Sequence, residues 1–243
     1  MRVFIVASAI LCASGAHAQL VNFTNTFAGS VNGSPVEASG SGQVDIDANG
    51  QSNASVNFSL VPADFNPLTV SLISNLCSNA FRDDGDPDNL WALGGGNYQT
   101  SRVFQWIGVP NSVMTIDSTV TESNGELTSA STISGTYNGP TDIVGIQNYS
   151  ISWLPSSAPG EFFEAGTVVL ERSTGDTLIM QFATVFSGLE NDLQQPQFGV
   201  GTFDTEWDGA TLTLGWDGEF MIPAPGAASV LVFAGVAAAR RRR

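Results

Sequence analysis

No lysine occurs anywhere in the 243 residues, and the single histidine, His17, lies in a leader-like stretch near the N-terminus. The body of the chain therefore has no imidazole and no amine side chain. Ser-His-Asp and Cys-His catalysis, Schiff-base chemistry and histidine-ligated zinc are excluded together. Cysteine is almost as scarce. Cys12 belongs to the leader, which leaves Cys77 without an internal disulfide partner. Such a residue reads either as a small buried apolar side chain or as an intermolecular bridge or reactive thiol. Cations are the third shortage. Between Gln19 and Ile222 only Arg82, Arg102 and Arg172 oppose all 23 acidic residues, so this body carries −20 where the whole chain carries −15. It repels nucleic acid and anionic membrane surfaces, so no nucleic-acid partner is expected, and it favours cations.

The two ends are of another kind. Met1-Arg2 is a short positive start, Val3 to Ala13 is an apolar run of 11 residues, and Ala16-His17-Ala18 is an A-x-A cleavage pattern before Gln19. The run is shorter than the roughly 20 residues a membrane-crossing helix needs. The three-part order reads as a signal peptide over residues 1–18, cut by signal peptidase between Ala18 and Gln19. A lipoprotein is excluded because Leu11, before Cys12, is too bulky. At the other end Pro223-Ala224-Pro225-Gly226 precedes 13 small or apolar residues, Ala227 to Ala239, and Arg240, Arg241, Arg242 and Arg243 close the chain. As a helix that run spans about 20 Å, a marginal anchor, and the arginines hold the cytoplasmic side.

The order Pro-x-Pro, short apolar helix, arginine cluster over residues 223–243 resembles the PEP-CTERM sorting domain, the tail recognised by exosortases. It departs from the name-giving motif at Ala224, where that family usually has Glu. The resemblance implies a protein of the envelope, surface or exterior of a Gram-negative-type bacterium. It also implies an exosortase-like sorting protease as partner and passing contact of the tail with the inner membrane.

Between these ends lie 204 residues, enough for one large β domain or two small ones, and with no long linker or repeat one domain is the reading. Helix formers are few, whereas Thr, Ser, Val, Asn and Gly are abundant, a strand-and-turn composition. Period-2 alternation recurs in Val44 and Ile46, in Ala54, Val56, Phe58 and Leu60, and in Leu212, Leu214 and Trp216. Asn49-Gly50, Asn124-Gly125, Asn138-Gly139, Asp208-Gly209 and Ser173-Thr174-Gly175-Asp176 read as hairpin turns. About ten to twelve strands follow from this spacing. The expected fold is all-β, an antiparallel sandwich or jelly roll over 19–222. Pro67 to Ala80 is the exception, a candidate short helix. The one plausible seam is near 83–96.

Three constellations are candidates for chemistry. Asp84, Asp86 and Asp88 recur at alternate positions with Gly85 and Pro87 between them. They resemble the Asp-rich calcium loops of extracellular modules, which makes Ca2+ the candidate cofactor, and a solvated acidic turn the alternative. Asp45 to Gly50 matches half of an EF-hand loop, but Val56 at its twelfth position cannot ligate, so a hairpin is the better reading. Trp91, beside the Asp loop, and Trp207, flanked by Asp204, Glu206 and Asp208, are candidates for stacking on sugar rings, or else core residues. Glu161, Glu164, Asp204 and Glu206 are the acids available for carboxylate-only glycoside hydrolysis.

The expected function is a non-enzymatic, exported envelope or extracellular-matrix protein sorted through its tail. The alternatives are a carbohydrate-binding or adhesive β-sandwich with polysaccharide as partner, calcium-stabilised, and a carboxylate-dependent glycosidase.

Overall fold

The computed structural model describes residues 19–46, 51–61, 67–80, 97–123, 126–188, 197–207 and 211–221. They form eleven strands and one helix. The strands are β1 (Gln19–Val31), β2 (Ser34–Ile46), β3 (Gln51–Val61), β4 (Tyr98–Trp106), β5 (Val113–Ser123), β6 (Glu126–Thr136), β7 (Ile143–Pro155), β8 (Glu161–Arg172), β9 (Thr177–Ser187), β10 (Gln197–Trp207) and β11 (Thr211–Met221). The helix, α1, runs from Pro67 to Ala80. The leader (1–18), the Asp-rich loop and the tail (223–243) lie outside the described residues.

The strands make one sheet that closes on itself in the order β1-β2-β3-β11-β10-β7-β8-β9-β4-β5-β6. This overturns the sandwich and jelly-roll expectation while keeping the all-β class. The reason the sequence misleads is geometric. Alternation says that one face of each strand is buried, as in β4, where buried and exposed residues alternate from Tyr98 to Trp106. It does not say whether that face meets a second sheet or the inside of its own. Every pairing is antiparallel except the seam, where β1 runs parallel to β6 from Asn22↔Glu126 to Val31↔Gly135. Closure removes both sheet edges, which in a long polar-faced sheet would otherwise invite pairing with other chains.

Local chemistry accounts for the hairpins. The β1–β2 link is Asn32-Gly33, both with positive φ (52° and 74°), as a two-residue turn matched to the strand twist requires. Asn32 also ties this turn to the far side of the seam, donating through Nδ2 to Tyr137 O at 2.7 Å and accepting from Tyr137 N at 3.0 Å. Ser173 to Asp176 does link β8 to β9, closed by Arg172 N donating to Asp176 O at 3.0 Å. Asn138-Gly139, by contrast, is no hairpin. It lies between β6 and β7, strands that are not neighbours in the barrel.

The helix stands inside the barrel, because both of its faces are buried. Leu68, Val70 and Leu72 are covered, and so are Thr69, Ser71, Ser74, Asn75 and Asn79. Pro67 suits the first helical position, where a missing N–H costs nothing. Only a surrounding wall can bury a helix all round. Apolar wall residues such as Phe23, Phe58, Phe104, Met114, Ile133 and Phe186 complete the core.

Candidate functional site

The buried polar groups of the barrel converge on α1. On β4 the inward positions are Tyr98, Thr100, Arg102, Phe104 and Trp106, so a charged residue occupies an aromatic face. Strand register sets its neighbours. Arg102 lies opposite Thr184 of β9, Thr184 opposite Glu164 of β8, and Glu164 opposite Trp153 of β7. Four inward side chains thus form one row across four strands.

Hydrogen bonds follow the row. The Arg102 guanidinium bonds to Glu164 Oε1 and, through Nε, to Thr184 Oγ1. Its Nη1 reaches inward to the Ser74 carbonyl of α1 at 2.6 Å. Trp153 Nε1 donates to Glu164 Oε2 at 2.7 Å, and Thr184 Oγ1 donates to Glu164 Oε1 at 3.1 Å. Both charged side chains have 0% exposure. Two unpaired charges here would be prohibitive, whereas a pair with its lone pairs and protons satisfied is tolerated.

Packing holds the guanidinium in place. Its carbon lies 5.0 Å from the centroid of the Phe182 ring, which stacks on Tyr149 at 5.7 Å. Phe182 has room because the facing residue is Gly166. A Cβ there would come within 2.2 Å of the ring and 2.4 Å of Ser150 O.

A second polar cluster lies between α1 and the strands of the seam. Asn75 donates to Ser118 at 3.0 Å, Ser118 and Ser131 share a bond of 2.7 Å, and Ser131 donates to Asn25 Oδ1 at 3.0 Å. Asn79 donates to Ser129 at 3.2 Å.

At one barrel end Arg172 bridges Asp142 (Nε at 3.0 Å) and Asp176 (Nη1 at 2.7 Å). The hydrogen bond from Arg172 holds the Asp142 carboxyl below its ordinary range. Asp176 is lowered first by Thr174 and then by Arg172. Burial raises the Tyr137 phenol, whose hydroxyl donates to Pro140 O at 2.6 Å. On the outer wall the small side chains Ala165 and Ala183 leave a shallow groove of about 530 Å3 across β4, β9, β8 and β7.

The expected sites fare unevenly. Asp84, Asp86, Asp88 and Trp91 lie outside the described residues, as do the cleavage residues Ala16 and Ala18 and the tail residues Pro223, Ala224, Pro225 and Arg240 to Arg243. Gln19 is the first residue of β1, and Trp207 the last of β10, its backbone opposite Leu212. Trp106 and Trp153 are core residues. Glu161 and Glu164 are not an acid pair across a cleft. Three positions apart on β8 they point to opposite faces, and Glu164 is sealed against Arg102. Among the described residues no group of three or more Cys, His, Asp and Glu is placed to hold a metal.

Arg102 and Glu164 were not foreseen as partners. The available clue was phase: Arg102 shares the inward phase of Tyr98, Phe104 and Trp106, and Glu164 that of Phe162 and Val168. A charge in that phase demands a counter-charge inside.

No family model matches the chain, and no curated protein is similar to it in sequence. Solved structures are similar in fold. The monomeric photosensitizing fluorescent protein Supernova has a TM-score of 0.64 at 13% identity, covering 84% of this chain and 94% of its own. The phototoxic fluorescent protein KillerOrange gives 0.66 at 15% identity, covering 84% and 93%. A GFP-like protein from the marine copepod Chiridius poppei gives 0.64 at 13%, covering 85% and 99%.

These findings correct the functional expectation. A closed can with GFP-like neighbours does not fit a carbohydrate-binding sandwich or an envelope protein defined by its sorting tail. No helix among the described residues is long and apolar enough to cross a membrane, and nothing found supports the PEP-CTERM or exosortase assignment. At such low identity the likeness is one of fold: an eleven-stranded barrel closed around an axial helix.

Proposed function

We propose that the barrel is a self-supporting scaffold domain that forms no chromophore and carries out no chemistry. The observation that carries this reading is the content of α1. Its 14 residues, Pro-Leu-Thr-Val-Ser-Leu-Ile-Ser-Asn-Leu-Cys-Ser-Asn-Ala, include no aromatic residue and no glycine. Visible absorption requires an extended conjugated system, and a helix without an aromatic side chain has no ring through which its backbone could extend one. The buried charges are equally committed. Arg102 and Glu164 neutralise one another, and a substrate has no access to either.

Export of this domain is supported by the leader pattern and by the strand boundary. Cleavage by signal peptidase after Ala18 leaves β1 whole, because its pairing with β2 begins at Gln19↔Ile46. The Asp84, Asp86 and Asp88 loop is carried between α1 and β4 as the candidate calcium ligand set.

The test is the spectrum and intact mass of the purified, aerated protein. The expected result is absorption by Trp and Tyr only, with the mass of the unmodified chain from Gln19 onward. A visible band, or a mass deficit equal to water plus hydrogen, overturns the proposal.

A further inference from the structure

The cluster beside the seam is not closed on itself. Asn25, Asn75 and Asn79 are 1%, 0% and 2% exposed, and each uses one end of its amide within the cluster. The other ends, Asn25 Nδ2, Asn75 Oδ1 and Asn79 Oδ1, have no protein partner, nor has the neighbouring Thr100 Oγ1. Exchanging O and N in Asn25 or Asn75 swaps donor for acceptor at the unmet end but leaves that end without a protein partner either way.

Register makes these groups neighbours. Thr100 lies opposite Ser118, Ser118 opposite Ser131, and Asn25 opposite Ser129 across the parallel seam. From the axis, α1 presents Asn75 to Ser118 and Asn79 to Ser129. One unmet donor, two unmet carbonyl acceptors and a hydroxyl therefore belong to one buried cluster.

We infer that this cluster is a binding site for internal water, held between α1 and strands β1, β4, β5 and β6. Buried polar groups in folded proteins almost always find partners. A molecule that serves both carbonyls and the amide N–H must donate twice and accept once, and water does so in the smallest volume. Buried water generally occupies polar sites that supply two to four partners. The Arg102 row needs no such guest, because its charges are satisfied by protein.

Water-residence measurement tests the inference on the intact protein. Oxygen-17 relaxation dispersion should detect water that outlives molecular tumbling, and water–amide cross-peaks should appear at Asn25, Ser118 or Ser131. Asn75→Leu should lose part of the dispersion amplitude, whereas Thr128→Ala, on the outer face of β6, should keep all of it. No long-lived water in the unmodified protein overturns the inference whether or not the variant folds. So does native mass spectrometry that finds a bound organic guest, or an amplitude unchanged by Asn75→Leu in a folded variant.

Discussion

Replacing Glu164 by Leu leaves the Arg102 guanidinium inside the barrel with no counter-charge. The carboxylate accepts from Arg102, Trp153 and Thr184, so three donors lose their acceptor at once. Removing one member of a buried ion pair typically costs about 3–5 kcal/mol. For a domain of this size each kcal/mol lowers Tm by roughly 2–4 °C, so a fall of about 6–20 °C is expected from the two scales together. Arg102→Met should cost a similar amount, since it strands Glu164 and also removes the Nη1 bond to the Ser74 carbonyl. The double variant carries no uncompensated charge. Urea unfolding followed by tryptophan fluorescence should place it no lower than the weaker single variant, a coupling of a few kcal/mol between adjacent sites. Additive losses would refute the reasoning, as would single-variant losses below about 1 kcal/mol, the scale of exposed ion pairs.

Gly166→Ala should destabilise by roughly 1–3 kcal/mol through overpacking against Phe182; an unchanged unfolding midpoint and near-UV circular dichroism would mean that the ring is not seated as described. At the barrel end, Asp142 has its carboxyl lowered in the folded state by Arg172, so its contribution is complete above the ordinary carboxylate range and is lost as pH falls through the folded value. Asp142→Asn should therefore flatten the acid side of the stability profile and leave the alkaline side alone, and an acid limb identical to the parent's would count against the Arg172 contact. A chelator should lower the thermal midpoint of the purified body, residues 19–222, with Asp86→Asn abolishing the difference; identical melting with and without chelator would dismiss calcium at the Asp84–Asp88 loop.

The seam and its cluster mark where local reading stops. Asn25, Ser129 and Ser131 carry nothing in their own neighbourhoods that announces a shared interior site. Asn25 and Ser131 are 106 positions apart and meet only because the barrel closes. Asn138-Gly139 has the composition of a tight turn, yet its flanking strands pair elsewhere. Turn chemistry describes which backbone angles are easy, not which strands will be adjacent. Asn32-Gly33 has the same composition, and there the flanking strands do pair.

What the sequence determines by itself is what depends on neighbours along the chain. The all-β class comes from alternation and turn residues, the limits of α1 from Pro67 and the run to Ala80, and the β8–β9 turn from Ser173 to Asp176. The exclusion of histidine and lysine chemistry is also local, because an absent side chain is absent in every fold. Tertiary structure decided the rest. Whether the alternating strands stacked as two sheets or closed as one depended on the parallel β1–β6 pairing, a contact about a hundred residues apart in sequence. Closure then turned a short, partly polar helix into the axis of the core. It also turned Arg102 and Glu164, two unremarkable charges 62 positions apart, into a sealed pair. Long-range pairing is set by the free energy of the whole closed sheet, and no window of the sequence contains that quantity.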